Sequence, residues 1–231
     1  MSAGAGFSSI RFDVSPYQLS GVVYGTLLNQ RTALTALGAA ASQPPYQAPP
    51  IAPVLYIKPR NTLALSGDVV MIPSGNPELE VGACLGLVMG HTACRVAEAQ
   101  ALDYVAGYLI VADVSVPHAS FHRPSIRFKA RDGYCPLGPA VIERAAVASP
   151  DALTIRTYID GTLIQTASTS ELIRSAARLL ADVTEFMTLS PGDVLALGAA
   201  APAPRVRSGQ TVKITIDGLG SLSNLYLAAV A

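Results

Sequence analysis

The sequence predicts an α+β fold dominated by strands, and three observations carry that expectation. Apolar runs bounded by glycine recur along the chain, as in Gly82–Met89 (GACLGLVM) and Gly107–Val114 (GYLIVADV). Strands buried on both faces read this way, because neither face can be polar. An Asp160-Gly161 pair lies between Thr154–Ile159 and Thr162–Gln165, supplying the positive φ angles of a tight hairpin turn. Only one long stretch, Ser168–Phe186, places its apolar residues at helical spacing: Leu172, Ile173, Ala176, Leu179, Leu180, Val183 and Phe186 fall on one stripe.

In chain order, Gly21–Leu28 (GVVYGTLL) is rich enough in β-branched and aromatic residues to form a strand. Arg31–Ala41 has the Ala and Leu content of a short helix. The loop 42–53 runs extended to a second strand at Val54–Ile57. After the buried strand Gly82–Met89 a helix is expected over Val96–Tyr104, and then the buried strand Gly107–Val114. The hairpin follows. Ser168 and Glu171 have capping-box spacing at the start of the long helix. Pro191-Gly192-Asp193 opens a further strand, and Thr211–Ile216 pairs with Ser221–Leu227 across Asp217-Gly218.

The chain has 231 residues, 50% hydrophobic and 14% charged, with 16 basic against 16 acidic side chains. Soluble domains average about 25% charged residues, so a mean hydropathy of +0.39 predicts an extensive core. It also predicts apolar surface that favours oligomer formation. With no net charge and no Lys/Arg cluster, nothing drives binding to nucleic acid. The longest uncharged stretches, Val14–Gln30 and Thr32–Ile57, are broken by Ser, Gln and Gly and, in the second, by prolines 44, 45, 49, 50 and 53, which excludes a continuous spanning helix in either. Residues 1–7 lack the basic and apolar pattern of a secretory leader. Cys84, Cys94 and Cys135 have no Cys-x-x-Cys spacing and read as reduced thiols. A cytoplasmic location is the expectation.

Against so apolar a background the few polar residues inside strands mark the place to look for chemistry. Asp113, near the end of a buried strand, must either ligate a hard cation or pair with a cation such as Lys129 or Arg131. Glu78 and Glu80 face one side of a strand. They are either a Mg²⁺ chelate or an exposed, charged strand edge, and the edge reading is preferred. His91, His118 and His122 share no ligand spacing and are expected on the surface or in satisfied loop positions.

The order of segments then becomes recognisable. Tyr104–Ser115 (YVAGYLIVADVS), Lys129, Asp132–Pro139 (DGYCPLGP), Thr169–Ile173 (TSELI) and Leu189–Asp193 (LSPGD) resemble the signature of the fumarylacetoacetate hydrolase family. The pieces Tyr46–Pro50, Tyr56–Asn61 and Phe121–Pro124 resemble one branch of it, in which the fold occurs as a tandem duplication or as two subunits. The similarity runs from about residue 21 to 231, leaving 1–20 as an N-terminal extension.

Membership would imply a mixed β-sheet roll with a few short helices. It would also imply assembly with a homologous catalytic subunit or as a homo-oligomer, and Mg²⁺ or another divalent cation held by three carboxylates. The substrate would be a small oxo-dicarboxylate or oxo-tricarboxylate. For this branch the implied chemistry is decarboxylation of 5-oxopent-3-ene-1,2,5-tricarboxylate and isomerisation of 2-hydroxyhepta-2,4-diene-1,7-dioate. Both reactions pass through an enolate that a cation stabilises.

By that resemblance Asp113 is a metal ligand, Lys129 the catalytic lysine, and Thr169 and Ser170 contact substrate. Several family positions are altered. The Glu-x-Glu pair that precedes Gly90 by eight and six residues is Gly82 and Cys84. Glu78 and Glu80 are offset by four residues, about 13 Å along a strand. A lid His and Glu are replaced by Ala33 and Ala36, a Thr-Pro by Ala199-Ala200, and an Arg-Asp by Pro117-His118. The expectation is therefore a subunit working with an intact homologue. The alternatives are an independent Mg²⁺-dependent enzyme using Asp113, Lys129 and Glu78/Glu80, or a non-catalytic binding homologue.

Overall fold

A computed structural model describes residues 8–9, 19, 22–118 and 125–229. In chain order the elements are β1 (Ser8–Ser9), β2 (Val23–Leu27), α1 (Arg31–Leu37), β3 (Val54–Lys58), β4 (Leu63–Leu65), β5 (Val69–Ile72), β6 (Glu78–Met89) and β7 (Val105–Ser115). They continue with α2 (Ile126–Lys129), β8 (Cys135–Glu143), β9 (Thr154–Ile159), β10 (Thr162–Ser168), α3 (Ala176–Thr184), β11 (Val194–Ala196), β12 (Arg205–Arg207), β13 (Thr211–Ile216) and β14 (Gly220–Ala228).

The strands form two curled sheets. The larger has the order β1-β8-β7-β6-β11-β2-β3, with β12 on β6 and β4 on β8; the smaller has the order β10-β9-β13-β14-β5. Both are mixed, since β11 runs parallel to β2 and β14 parallel to β5 while most other pairs are antiparallel. The strand-dominated α+β expectation is met.

Strands β6 and β7 show why the central sheet is buried on both faces. Leu79, Val81, Ala83, Leu85, Leu87 and Met89 point into the main core with Tyr108, Ile110, Ala112 and Val114. The intervening Cys84, Val88, Leu109 and Val111 join a second, smaller cluster with Val23, Cys135 and Leu137. Period-two alternation thus puts Asp113 on the second face, at the open end of an otherwise apolar layer. Of residues 1–20, Ser8–Ser9 pair with Ala140 and Val141 of β8, and Leu19 is buried in the second cluster.

Four expectations need correction. The helix anticipated over Ser168–Phe186 is split: Ser168 caps a single 3-10 turn, Thr169–Glu171, and α3 starts at Ala176 with Ser175 as its cap. The cause is Asn29. Its Oδ1 accepts the Arg174 amide at 3.0 Å and its carbonyl accepts the Ile173 amide at 2.8 Å, so these amides cannot join a helix ladder. Ile173 and Phe186 are accordingly exposed.

The segment expected as a helix over Val96–Tyr104 is a 3-10 helix, Glu98–Tyr104, burying only Ala101. Leu102 and Tyr104 pack only partly buried against the core beside Ala101. Arg31–Ala41 is an α-helix only to Leu37 and continues as a 3-10 helix over Gly38–Ser42. Finally, Glu78 and Glu80 do not form an exposed edge, because β12 pairs there and sets Arg205 opposite Glu80 and Arg207 opposite Glu78. The Asp160-Gly161 turn forms as expected, with φ of 49° and 81°.

Candidate functional site

Asp113 lies at the centre of a buried charge cluster built from four elements. On β7 it stands directly opposite Gly82 of β6. Strand β3 alternates so that Tyr56 and Lys58 point inward together. The short α2 delivers Lys129. The Lys129 Nζ donates to Asp113 Oδ2 at 2.5 Å, and Lys58 Nζ lies 3.0 Å from Oδ1. The Lys129–Asp113 pair expected from the cost of an unpaired buried carboxylate is therefore present. Lys58 is a second partner, and Arg131 is not one of the cations paired with Asp113.

The two ammonium groups differ in role. Lys58 directs its protons at three backbone carbonyls, those of Val114 (2.6 Å), Lys129 (2.8 Å) and Tyr134 (2.8 Å). Three donors exhaust an ammonium group, so its approach to Oδ1 is an ion pair without a hydrogen bond, and Oδ1 accepts none. Lys58 thus fastens β3 to β7, α2 and the turn before β8. Lys129 donates one hydrogen bond, to Asp113, and its Nζ sits 4.5 Å from the centroid of the Tyr56 ring. Gly25 leaves room for that ring: a Cβ there would fall 2.0 Å from Tyr56 Cζ.

Burial pushes the Asp113 carboxyl up, but Lys129 and Lys58, helped by the Tyr56 phenol, bring it down to about 2. Burial pulls Lys58 below the usual lysine range against the attraction of Asp113. It also pushes Cys84 well above the ordinary thiol range, and Cys135 up to about 12. Both thiols are neutral.

A cavity of about 220 Å³ opens onto this cluster. Asp113, Lys129, Gly82, Glu80, Ser115 and His118 supply its polar end, and Ala33 and Ala199–Ala203 its apolar walls. Lys129, Asp113, Gly82 and Ala33 are thus brought together. Glu80 lines the cavity too: it stands two residues from Gly82 on the same face, about 7 Å away. Its carboxylate is held by Arg205 at 3.3 Å, however, and Glu78 by Arg205 at 2.7 Å and Arg207 at 3.5 Å.

Cys84 is fully buried below the cavity, and Ala36 is exposed. Thr169 is buried, its hydroxyl accepting from the Leu153 amide at 2.8 Å, and Ser170 pairs with Ser168 at 2.8 Å. Neither lines the cavity. His91 is exposed, and His122 lies outside the described residues.

Two residues in the cluster escaped sequence reasoning. Lys58 sits at the end of an apolar strand two residues after Tyr56, and that alternation was the signal that it faces inward. His118 was placed on the surface or in a satisfied loop. It does lie in a loop, its Nδ1 2.9 Å from the Val116 carbonyl and 3.3 Å from Ser115 Oγ, and in addition its ring stacks on Phe128 at 4.8 Å and lines the cavity, which the sequence reading did not foresee.

A mixed-sheet roll with a small charged cavity at the end of its central strands is a layout that suits a small-molecule enzyme domain. Residues 22–225 match the fumarylacetoacetate (FAA) hydrolase C-terminal family, and the chain belongs to that family. The 4-hydroxyphenylacetate degradation bifunctional isomerase/decarboxylase of Salmonella dublin is 43% identical over 91% of this chain and 48% of its own length. The chain spans about half the length of the curated relatives it matches. Among solved structures, 5-carboxymethyl-2-hydroxymuconate delta-isomerase from Mycobacterium smegmatis superposes with a TM-score of 0.79 at 27% identity, covering 92% of this chain and 81% of that one. Maleylpyruvate hydrolase from Sphingobium sp. SYK-6, solved with manganese(II) and pyruvate, gives a TM-score of 0.74 at 25% identity, covering 90% of this chain and 71% of that one.

The residues present here do not fit a divalent cation. Among the described residues no three His, Cys, Asp or Glu side chains converge. A Cβ at Gly82 would lie 2.7 Å from Ala199 Cβ, so the methyl of Ala199 occupies the space that a longer side chain at position 82 needs. Cys84 is buried as a neutral thiol, and both Asp113 oxygens face an ammonium group. Among the described residues no helix is long and apolar enough to cross a membrane.

Proposed function

We propose that this chain is the metal-free half of a 4-hydroxyphenylacetate-type isomerase/decarboxylase, working with a homologous domain that carries the intact carboxylate set. The homologous domain sits on the same polypeptide or on another. The joint reaction is decarboxylation of 5-oxopent-3-ene-1,2,5-tricarboxylate and isomerisation of 2-hydroxyhepta-2,4-diene-1,7-dioate, in the cytosol. The observation that carries this reading is the neutralisation of Asp113 by Lys129 and Lys58, beside a Gly82 whose side-chain space Ala199 fills. The identity to the Salmonella relative over about half of its length supports the pathway.

In this reading the chain stabilises its partner by packing, with exposed apolar residues such as Ile51, Phe186 and Ile126 available to an assembly. The test is turnover of both substrates by the purified chain, by a homologous domain with the Glu-x-Glu pair, and by the two together. Activity that needs the homologue and rises when this chain is added supports the proposal. Mg²⁺-dependent turnover by this chain alone, abolished in Asp113→Ala, contradicts it.

A further inference from the structure

The charge cluster has an imbalance that packing does not explain. Lys58 and Lys129 are both buried, with side-chain exposures of 1% and 6%, and share the single carboxylate of Asp113. The other ionic groups at the cavity cancel, since Glu78 and Glu80 are held by Arg205 and Arg207. Cys84 and Cys135 are neutral. Among the described residues one positive charge is left over on two ammonium groups that are themselves buried, at the wall of the cavity, where uncompensated charge is unfavourable.

Its position is defined as well. Lys58 has no proton left to offer. Among the described residues Lys129 Nζ donates only to Asp113 and otherwise lies 4.5 Å from the centroid of the Tyr56 ring, so at least one of its three protons has no oxygen or nitrogen acceptor there. Lys129 is a wall of the 220 Å³ cavity, which has room for about seven waters or one small organic molecule.

We infer that this cavity binds a short-chain carboxylate directly on the Lys129 ammonium, with no metal ion between them. The carboxylate accepts the protons that Lys129 has to spare and neutralises the surplus charge. Its aliphatic end lies against Ala33 and Ala199–Ala203. A cation is the wrong ligand for a cluster that is already positive. This goes beyond the proposed assembly role, because it gives the chain a ligand of its own whether or not it helps a partner to catalyse.

The chemistry predicts an unusual selectivity. Binding through a metal favours 2-oxo acids, which chelate with a carboxylate and an oxo oxygen together. Binding through an ammonium needs only the carboxylate. Calorimetric titration of the isolated chain with pyruvate and with butyrate, each in EDTA and then with excess Mn²⁺, separates the two at constant ionic strength.

The expected result is binding of both acids, within a few-fold of each other, with no change on adding Mn²⁺. Lys129→Met should weaken both roughly tenfold to a hundredfold, the share of a charge-assisted hydrogen bond. Ala33→Phe, which blocks the cavity without touching the charges, should abolish both and decides the matter if Lys129→Met fails to fold. The inference is overturned by binding of pyruvate only in the presence of Mn²⁺, by binding of neither acid, or by binding that survives Ala33→Phe. Because no turnover and no partner enter this experiment, its failure leaves the assembly reading standing, and the reverse also holds.

Discussion

Asp113→Asn is the substitution whose consequence follows most directly from the geometry. The carboxylate stands between ammonium groups at 2.5 and 3.0 Å. At an effective dielectric constant near 20 each attraction is worth about 6 kcal/mol before desolvation is subtracted. The amide keeps the shape and removes the charge, leaving two buried ammonium groups facing each other. Removing one partner from a buried ion pair costs about 3–5 kcal/mol, which for a chain of this length lowers Tm by roughly 6–20 °C.

The assay is thermal and urea unfolding by circular dichroism, repeated on Lys129→Met and on the double variant. Taking Lys129's charge away as well removes the repulsion, so the double variant should be more stable than Asp113→Asn by about 1–3 kcal/mol. A Tm shift of less than about 2 °C for Asp113→Asn refutes the reasoning. So does a double variant whose loss equals the sum of the single losses, since independent sites add.

Further predictions concern pH, packing and the thiols. The Asp113 carboxyl is held at about 2 against an ordinary 3.8, so its stabilisation is complete above pH 4 and is lost as pH falls from about 4 to 2. That acid limb, worth about 2 kcal/mol, should be missing from urea midpoints of Asp113→Asn. Gly25→Ala drives a methyl into the Tyr56 ring and should lower stability by about 1–3 kcal/mol in the same denaturation assay. Gly82→Glu should not create a metal site on its own, because Ala199 is in the way. Gly82→Glu/Cys84→Glu/Ala199→Gly should bind Mn²⁺ by calorimetry where the single variant does not. A thiol reagent should modify the exposed Cys94 in the native protein and reach the buried Cys84 and Cys135 only after unfolding.

The strands that build the site were legible because burial on both faces leaves a plain mark, an apolar run such as Gly82–Met89 that ends in glycine. What failed was local reading of segments governed from a distance. The Ser168–Glu171 spacing looks like a helix start, yet a buried asparagine some 145 residues away takes the amides that the helix would have used. The pair Glu78 and Glu80 looked like a free edge because β12, which lies more than a hundred residues later, carries no sequence mark of its partner.

Within the site, Asp113 stood out as the one carboxylate in an apolar strand, and Lys129 and the altered positions Gly82, Cys84 and Ala33 were legible through resemblance to the family. Lys58 was not found, although its spacing from Tyr56 already placed it on an inward face. A lysine at a strand end reads as a solvated residue unless the acceptors are known. Here the acceptors are three carbonyls from three separate parts of the chain. His118 was discounted for lack of ligand spacing, a criterion that finds metal ligands and misses a residue that lines a cavity without ligating.

The most direct test of the central claim, that Lys129 and Lys58 engage the Asp113 carboxylate that the family resemblance assigns to a cation, is a crystal of the isolated chain soaked in Mn²⁺ and measured at the manganese absorption edge. The account predicts no anomalous peak in the Asp113 cavity and the Lys129 ammonium still bonded to the carboxylate. A manganese ion ligated by Asp113, with Lys129 displaced from it, would contradict the account.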